Sequence, residues 1–164
     1  MEVVLVLHNI RSLYNVGSIF RTAEATHVKK IYLTGITPAP LDRFGRFRRE
    51  ISKVALGAEK MISWEKQASA SRVIKELRAN GFKIFAVEQS KKSTPYYRMK
   101  SWGAHRGKSN NKVVLVFGNE VRGLPPFILK QADKILEIPM AGRKESLNVS
   151  VSAAIILFHL RYTA

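Results

Sequence analysis

The strongest constraint on the fold lies in the last third of the chain, where short apolar runs end at glycine or proline. Residues 113–117 are continuously apolar and lead directly into Gly118, and residues 135–138 form a second, shorter strand-like run that ends at Pro139. Apolar runs of about five residues, bounded by Gly or Pro, are typical of buried parallel strands. Because open α/β sheets bind their ligands in the turns that follow such strands, we expect a binding site at these ends.

The glycine-rich segment after residue 117 does not match the common nucleotide-binding motifs. Gly118 and Gly123 have the G-x-x-x-x-G spacing of a phosphate-binding loop, but Leu124 and Pro125 stand where that loop requires Lys and Ser or Thr. No G-x-G-x-x-G follows a predicted strand, which disfavours a dinucleotide site. A nucleotide-binding hydrolase is therefore disfavoured, and the structural alternative is that these glycines only permit tight turns.

Apolar patterning along the rest of the chain predicts an α/β fold with a mostly parallel sheet flanked by helices. Further strands are predicted at residues 2–8, 30–34, 61–64 and 83–88, and helices at residues 16 to about 27, 67–80 and 147–162. The chain of 164 residues shows no clear linker or repeat, so we expect a single domain, 1–164. Because the first strand begins at Glu2, no separate RNA-binding domain is expected.

The charge balance indicates a polyanionic partner. Twenty-eight Lys and Arg residues against twelve Asp and Glu give a net charge of +16, which favours nucleic acid over a membrane surface. Residues 43–53 and 89–112 combine basic residues with aromatic ones, a composition that suits RNA. The alternatives are a solvated mobile loop for the first segment and disorder for the second. The candidate RNA-binding residues are Arg43, Arg46, Arg48, Arg49, Lys53, Arg98, Lys100 and Arg106.

The composition also disfavours several classes of protein. The absence of cysteine excludes disulfides and thiolate metal sites and favours a reducing cytoplasm. The four histidines show no metal-ligand spacing, so no metal is expected. The N-terminus lacks a signal-peptide pattern, and the C-terminal apolar run is too short and too interrupted by polar residues to cross a membrane.

Three ordered motifs carry a resemblance to a known family. They are FGNEVRGLP at residues 117–125, IPM at 138–140 and SLNVSVSAAI at 146–155. In this order and spacing they resemble the SpoU (TrmH-like) RNA ribose 2′-O-methyltransferases of the SPOUT superfamily. Residues 15–23 look like the first motif of that family, and ALGAE at residues 55–59 matches a further common segment. The resemblance implies a SPOUT-type fold with a C-terminal trefoil knot, S-adenosylmethionine as cofactor, and methyl transfer to a ribose 2′-hydroxyl of tRNA or rRNA.

The resemblance also implies the site residues, position by position. Backbone groups of the C-terminal loops would hold the cofactor, and Asn119 supplies a polar side chain near the mouth of that site. The implied cofactor-binding residues are Val87, Gly118, Asn119, Ile138, Met140, Ser146 and Leu147. The implied catalytic residues are Arg21, Asn15, Glu120 and Asn148.

Arg21 stands where the family has its catalytic arginine. A guanidinium group with a pKa above about 12 is poorly suited to act as a general base. We therefore expect Arg21 to clamp the phosphate next to the target ribose and to stabilise the developing alkoxide, with Glu120 able to hold its guanidinium by a bidentate pair. The general-base role remains the alternative.

The last predicted helix, residues 147–162, is apolar on almost every side. Such a helix needs burial on all its faces, and in a small domain this requires a partner subunit as well as the core. The pattern, together with the resemblance, predicts a homodimer. The main rival to the enzyme is a catalytically inactive RNA-binding protein of the same fold, which would explain the charge equally well.

Overall fold

A single sheet organises the chain. The computed structural model describes residues 1–99 and 111–162, and within them seven strands pair side by side, every neighbouring pair parallel. The strands are β1 (Glu2–His8), β2 (Lys30–Thr34), β3 (Ser63–Gln67), β4 (Lys83–Val87), β5 (Thr94–Pro95), β6 (Lys112–Phe117) and β7 (Lys134–Glu137). Their order across the sheet is β3-β2-β1-β6-β4-β7-β5. The predicted parallel sheet is confirmed, and the trefoil knot stays a prediction.

Helices cover both faces of the sheet. They are α1 (Leu13–Ala25), α2 (Arg49–Ala55), α3 (Ala58–Met61), α4 (Ala70–Ala79), α5 (Pro126–Leu129) and α6 (Val149–Tyr162), with a 3₁₀ helix at Tyr96–Arg98. Successive side chains of a strand point to opposite faces. Val3, Leu5 and Leu7 therefore pack with α1, α2, α3 and α6, whereas Val4 and Val6 pack with α4 and α5.

Helix starts differ from the prediction because polar side chains cap them. The hydroxyl of Ser12 accepts a hydrogen bond from the backbone N–H of Asn15 (3.2 Å), so α1 begins at Leu13 and not at residue 16. Ser69 caps α4 in the same way through Arg72. Asn148 accepts from the backbone N–H of Ser150 (2.8 Å), so α6 begins at Val149 and not at residue 147. Such caps satisfy N–H groups that have no partner inside the helix.

The third strand was predicted too early in the sequence. Residue 61 ends α3, and β3 instead spans Ser63–Gln67 at the edge of the sheet, where it pairs only with β2. Its Glu65 and Lys66 are polar, so this edge strand lacks the apolar pattern of a buried one.

The described parts of the two basic segments contain regular structure, whereas residues 100–110 of the second segment lie outside the described residues. Leu41 and Phe47 form an antiparallel bridge around a turn, and the carboxylate of Asp42 accepts from the backbone N–H groups of Phe44 (2.8 Å) and Arg46 (3.0 Å). The helix α2 follows directly. In the second segment β5 precedes the 3₁₀ helix.

All seven described strands point in one direction, so their carboxyl ends meet at a single edge of the sheet. Every loop that carries a predicted site residue of the last third leaves from this edge. No helix within residues 1–99 and 111–162 has both the length and the apolar character needed to cross a bilayer.

Substitution of Gly17 tests how closely α1 packs on α2. A Cβ at this position would lie 2.6 Å from the carbonyl oxygen of Ile51 and would also press on Val54. We expect Gly17→Ala to lower the free energy of unfolding by about 1–3 kcal/mol through overpacking, despite the better helix propensity of alanine. Urea titration followed by circular dichroism measures this effect.

Gly142→Ala is the matched control, because nothing lies within 4 Å of a Cβ there. Its effect should stay within about 0.5 kcal/mol, as for other exposed substitutions. Equal stability of the two variants would contradict close packing of the two helices.

Candidate active site

A cleft opens at the carboxyl ends of β4, β6 and β7. It encloses about 740 Å³ of space, part of which is open solvent. All seven residues predicted to bind the cofactor lie in its wall: Val87, Gly118, Asn119, Ile138, Met140, Ser146 and Leu147. They come from segments that lie far apart in sequence, and the parallel strands bring them together.

The glycine-rich loop that follows β6 folds back tightly on itself. Asn119 and Gly123 form an antiparallel bridge, and a Cβ at Gly118 would lie only 2.6 Å from the carbonyl carbon of Gly123. The side-chain oxygen of Asn119 accepts from the backbone N–H groups of Val121 (3.0 Å) and Arg122 (2.9 Å). Asn119 therefore shapes the loop with its side chain, and its place in the cleft wall does not leave that oxygen free for a ligand.

Glu88 is a residue of the cleft wall that sequence reasoning missed. Its carboxylate accepts from the backbone N–H groups of Leu124 (2.8 Å) and Gln89 (2.9 Å), which fastens the glycine-rich loop to the end of β4. The side chain of Gln89 in turn donates to the carbonyl oxygen of Ile138 (2.8 Å), beyond β7. The sequence signal for Glu88 was its position, because it is the first acidic residue after the apolar residues of β4.

Glu120, Asn15 and Asn148 form a hydrogen-bonded chain beside the cleft. The amide of Asn15 donates to Glu120 Oε1 (3.1 Å), and the amide of Asn148 donates to the side-chain oxygen of Asn15 (3.0 Å). Glu120 also accepts from the backbone N–H groups of Arg11 and Ser12, both at 3.0 Å. Three of the four predicted catalytic residues are thus in contact, and they join the first third of the chain to the last.

The hydrogen bonds to Glu120 change its acidity. Partial burial alone raises the pKa of the Glu120 carboxyl, but the backbone N–H groups of Arg11 and Ser12 and the Asn15 amide stabilise the charged form, and the pKa falls below its ordinary value. A carboxylate with a lowered pKa and donors on both oxygens is a poor general base. Glu120 is therefore suited to position the β1–α1 loop.

Arg21 lies away from this chain, and its predicted pair with Glu120 is not formed within one chain. Among the described residues Arg21 makes no hydrogen bond or ion pair, and Glu120 is occupied by the β1–α1 loop. Arg21 lies six residues after Asn15 on α1. At about 3.6 residues per turn this spacing is one and two-thirds turns, so the two side chains point in different directions around the helix axis. Arg21 is exposed. Within one chain, therefore, Glu120 holds the β1–α1 loop and not Arg21.

The predicted RNA-binding residues lie mostly on the surface. Arg43 and Arg46 flank the exposed ring of Phe44, at 4.7 and 5.7 Å from its centroid. Arg48 differs because it is half-buried and its guanidinium donates to the carbonyl oxygen of Ala39 (3.1 Å).

The remaining residues of this set divide into two groups. Arg49 and Lys53 are exposed on α2, and Arg98 is exposed at the end of the 3₁₀ helix. Lys100 and Arg106 lie outside the described residues.

The lining of the cleft suits an organic cation. Glu88, Glu120 and Glu137 contribute to its wall, and neither Lys nor Arg does so among the described residues. The rest of the lining combines apolar residues, including Val87, with uncharged polar ones such as Gln89 and Ser146. No group of three His, Asp or Glu within the described ranges could hold a metal ion.

Comparison with known sequences shows related methyltransferases. Residues 2–158 match the SpoU rRNA methylase family. The 23S rRNA (guanosine-2′-O-)-methyltransferase of Neisseria meningitidis is 30% identical over 158 residues, which make up 96% of this chain and 57% of that protein. An uncharacterized tRNA/rRNA methyltransferase of Synechocystis is also 30% identical over 158 residues, 96% of this chain and 37% of its own length. The chain thus spans less than two thirds of either relative.

Solved structures agree with these matches. An AdoMet-bound rRNA methyltransferase from Sinorhizobium meliloti superposes with a TM-score of 0.83 at 29% identity, covering 99% of this chain and 57% of that one. A TrmH/SpoU tRNA modifying enzyme of A. aeolicus gives a TM-score of 0.81 at 28% identity, with 98% and 74% covered.

The anchoring of Glu120 predicts a pH-dependent stability. A carboxyl group whose pKa is lower in the folded than in the unfolded protein stabilises the fold above its unfolded pKa, and this contribution is lost as pH falls through the folded pKa. Glu120→Gln should therefore reduce the free energy of unfolding at pH 7 and have a smaller effect near pH ~3, below the ordinary pKa of a glutamate. Urea titrations at several pH values measure the difference. Glu24→Gln, at an exposed position on α1, should show no such trend, and matching pH profiles for the two variants would contradict the anchor.

Proposed function

Because the chain belongs to the SpoU rRNA methylase family, we propose that it transfers a methyl group from S-adenosylmethionine to a ribose 2′-hydroxyl of tRNA or rRNA. The observation that carries the proposal is the cleft itself. Seven positions implied for the cofactor line one cavity, and the Glu120–Asn15–Asn148 chain lies beside it. The guanosine-2′-O- specificity of the Neisseria relative supports the ribose as the acceptor.

The residues of the cleft fit this cofactor. Val87, Ile138 and Leu147 offer an apolar surface to an adenine, and the tight turn at Gly118 brings backbone close to the ligand. Glu88, Glu120 and Glu137 give the cavity a negative potential, which attracts a sulfonium cation and repels phosphate. When bound, S-adenosylmethionine supplies an electrophilic methyl group. The AdoMet-bound relative has the same fold over almost all of this chain.

The chain's own residues would orient and activate the ribose hydroxyl. Glu120 fixes the β1–α1 loop, which holds Asn15 against Asn148 at the rim. The hydroxyl is a weak nucleophile near neutral pH, so positioning and stabilisation of its developing negative charge are the main contributions that the protein can make. A guanidinium clamp on the adjacent phosphate supplies such stabilisation, and Arg21 is our candidate for it.

We propose that Arg21 performs this role across a homodimer interface. Within one chain α6 buries Ala153, Ile156 and Leu160, but Val151 and Phe158 remain 46% and 45% exposed. A second copy seated on this apolar face would cover it. Because α1 packs beside α6, the outward face of α1, with Arg21, would then lie near the partner's cleft.

We further propose that residues 1–164 act as one methyltransferase domain in the cytoplasm. The strands β1 and β7 belong to one sheet although they lie at opposite ends of the chain, which argues against two separate units. A reducing compartment fits the absence of cysteine.

Transfer of an isotopic label tests the reaction. The purified protein is incubated with S-adenosylmethionine that carries a deuterated methyl group and with unmodified tRNA or rRNA, and the digested RNA is analysed by mass spectrometry. We expect the label in 2′-O-methylated nucleosides. Label on a base would contradict the ribose acceptor, and RNA binding without any transfer would favour the inactive RNA-binding protein.

Substitution of Arg21 separates chemistry from cofactor binding. Arg21→Ala should reduce turnover by roughly 10² to 10³, as for other preorganised charge stabilisers, and leave S-adenosylmethionine affinity unchanged. Arg21→Lys keeps the charge but loses the planar fork, so a clamp should lose most activity. A general base should instead keep activity in the lysine variant, and that activity should rise with pH. Full turnover in Arg21→Ala would contradict both roles.

Mixing two inactive variants tests whether Arg21 acts across the interface. Arg21→Ala is combined with Leu147→Glu, which places a charge in the cleft wall. Random exchange makes half of the dimers mixed, each with one intact site, so about a quarter of wild-type activity should return. No recovery after proven subunit exchange would place Arg21 in the site of its own chain or remove it from the site.

The exposed apolar face of α6 predicts dimer dissociation by a charge. Phe158 stacks on Tyr162, and both rings reach solvent in a single chain. Phe158→Glu should shift the protein to monomers in sedimentation velocity at micromolar concentration, because a buried unpaired carboxylate is costly. Lys75→Glu, at an exposed position on α4, is the control and should leave the dimer intact. A wild-type monomer under the same conditions would contradict the proposed interface.

A further inference from the structure

A second groove lies at the same edge of the sheet, on the other side of the glycine-rich loop. It runs between the carboxyl ends of β1 and β2 on one side and α5 on the other, and encloses about 1490 Å³ of space open to solvent. We call it the β1–β2 groove. The loop residues Asn119, Val121 and Gly123 line both this groove and the cleft, so a ligand in one would lie directly beside a ligand in the other.

The β1–β2 groove has a positive lining. Arg11 and Arg122 line it, and none of its described lining residues is acidic. A neighbouring depression, which continues the groove through Arg11 and Ile36, adds Arg48 and Lys66, again without an acidic residue in the described part of the chain. This charge is opposite to that of the acidic cleft.

Exposed apolar side chains lie among these cations. Phe127 is 55% exposed, Ile36 66% and Val121 85%, although all three line the same groove. The ring of Phe127 meets that of His8 edge-on, at 82° and 6.5 Å between centroids. More than half of the Phe127 surface stays exposed beside this contact, and every nucleobase has a face that stacks on an aromatic ring.

Hydrogen bonds hold the floor of the groove in place. Asn9, in a left-handed conformation (φ 58°), accepts from the backbone N–H of Ile36 through its side chain (3.0 Å) and from the Asn119 amide through its carbonyl oxygen (2.8 Å). Thr37 donates to the carbonyl oxygen of Leu7 (2.8 Å) and accepts from the backbone N–H of Ile10 (3.0 Å). The loops that carry Arg11 and Ile36 are therefore preformed, which lowers the entropic cost of binding.

We propose that the β1–β2 groove binds single-stranded RNA next to the target nucleotide, with phosphates at Arg11 and Arg122 and one base stacked on Phe127. The proposal rests on the proposed function, since it supplies the RNA track for that reaction. Arg11 is the link between the two sites: its side chain lines the groove, and its backbone N–H donates to Glu120. Phosphates and bases both find partners here, whereas an acidic peptide would leave the exposed ring without a base to stack on.

The test measures RNA affinity as a function of salt. A fluorescent single-stranded RNA of about 16 nucleotides, the upper site size for such grooves, is titrated with protein and followed by anisotropy. Arg11→Ala and Arg122→Ala should each weaken binding and make the slope of log affinity against log salt shallower by about 0.7, the loss of one phosphate contact. Phe127→Ala should weaken binding by about 5- to 100-fold with an unchanged slope, and Phe127→Trp should restore it.

Lys29→Ala is the matched control. Lys29 is exposed and directly precedes β2, so it lies at the amino ends of the strands, away from the groove. Its replacement by alanine removes one positive charge, as each arginine variant does. Cofactor affinity, measured by calorimetry, should stay at the wild-type value in all four single alanine variants. If the Arg11, Arg122 and Phe127 variants bind RNA like Lys29→Ala, the groove is not the RNA site.

Two further outcomes separate this inference from the proposed function. A wild-type protein that methylates RNA while its groove variants bind and react normally overturns the groove alone. A wild-type protein that binds neither RNA nor S-adenosylmethionine overturns both proposals.

Discussion

The site depends on one carboxylate that joins the two ends of the chain. Glu120 accepts hydrogen bonds from the backbone N–H groups of Arg11 and Ser12 and from the side chain of Asn15. Because Asn15 also accepts from Asn148, the loop after β1, the glycine-rich loop after β6 and the start of α6 form one hydrogen-bonded unit. The parallel sheet brings these segments to a common edge, and the polar contacts then set their relative positions to within hydrogen-bond distance.

The second organising feature is a separation of charge along that edge. Three glutamates line the cleft, and the neighbouring β1–β2 groove is lined by arginines without a carboxylate among the described residues. Under the proposed function, these opposite environments favour a cationic cofactor on one side of the loop and a polyanionic substrate on the other. The glycine-rich loop forms the wall between them, and Glu88 and Asn119 hold it from either side. A loop braced in this way keeps the acidic cleft and the basic groove side by side.

Much of this arrangement could be read from the sequence, because buried parallel strands have a strong apolar signature. The bounds of β1 and β2 matched the structure, and the motif positions led to seven residues that line one cleft. The edge strand β3 was misplaced because it is polar, and the helix starts shifted because capping side chains have no periodicity. The partners of Glu120 and the outward direction of Arg21 depend on tertiary packing and helix rotation, which no linear motif contains. The β1–β2 groove is assembled from β1, β2 and α5, so the sequence carried no signal for it.

The central claim is that the carboxyl ends of β4, β6 and β7 form a site for S-adenosylmethionine, and calorimetric titration of the purified protein measures this directly. The account predicts one binding event per chain with a dissociation constant of roughly 1–100 μM. Binding should weaken strongly in Leu147→Glu, whose substitution lies in the cleft wall, and stay unchanged in Gly142→Ala, outside it. A folded wild-type protein that gives no binding heat over several temperatures at millimolar ligand would contradict the account, as would undiminished binding by Leu147→Glu.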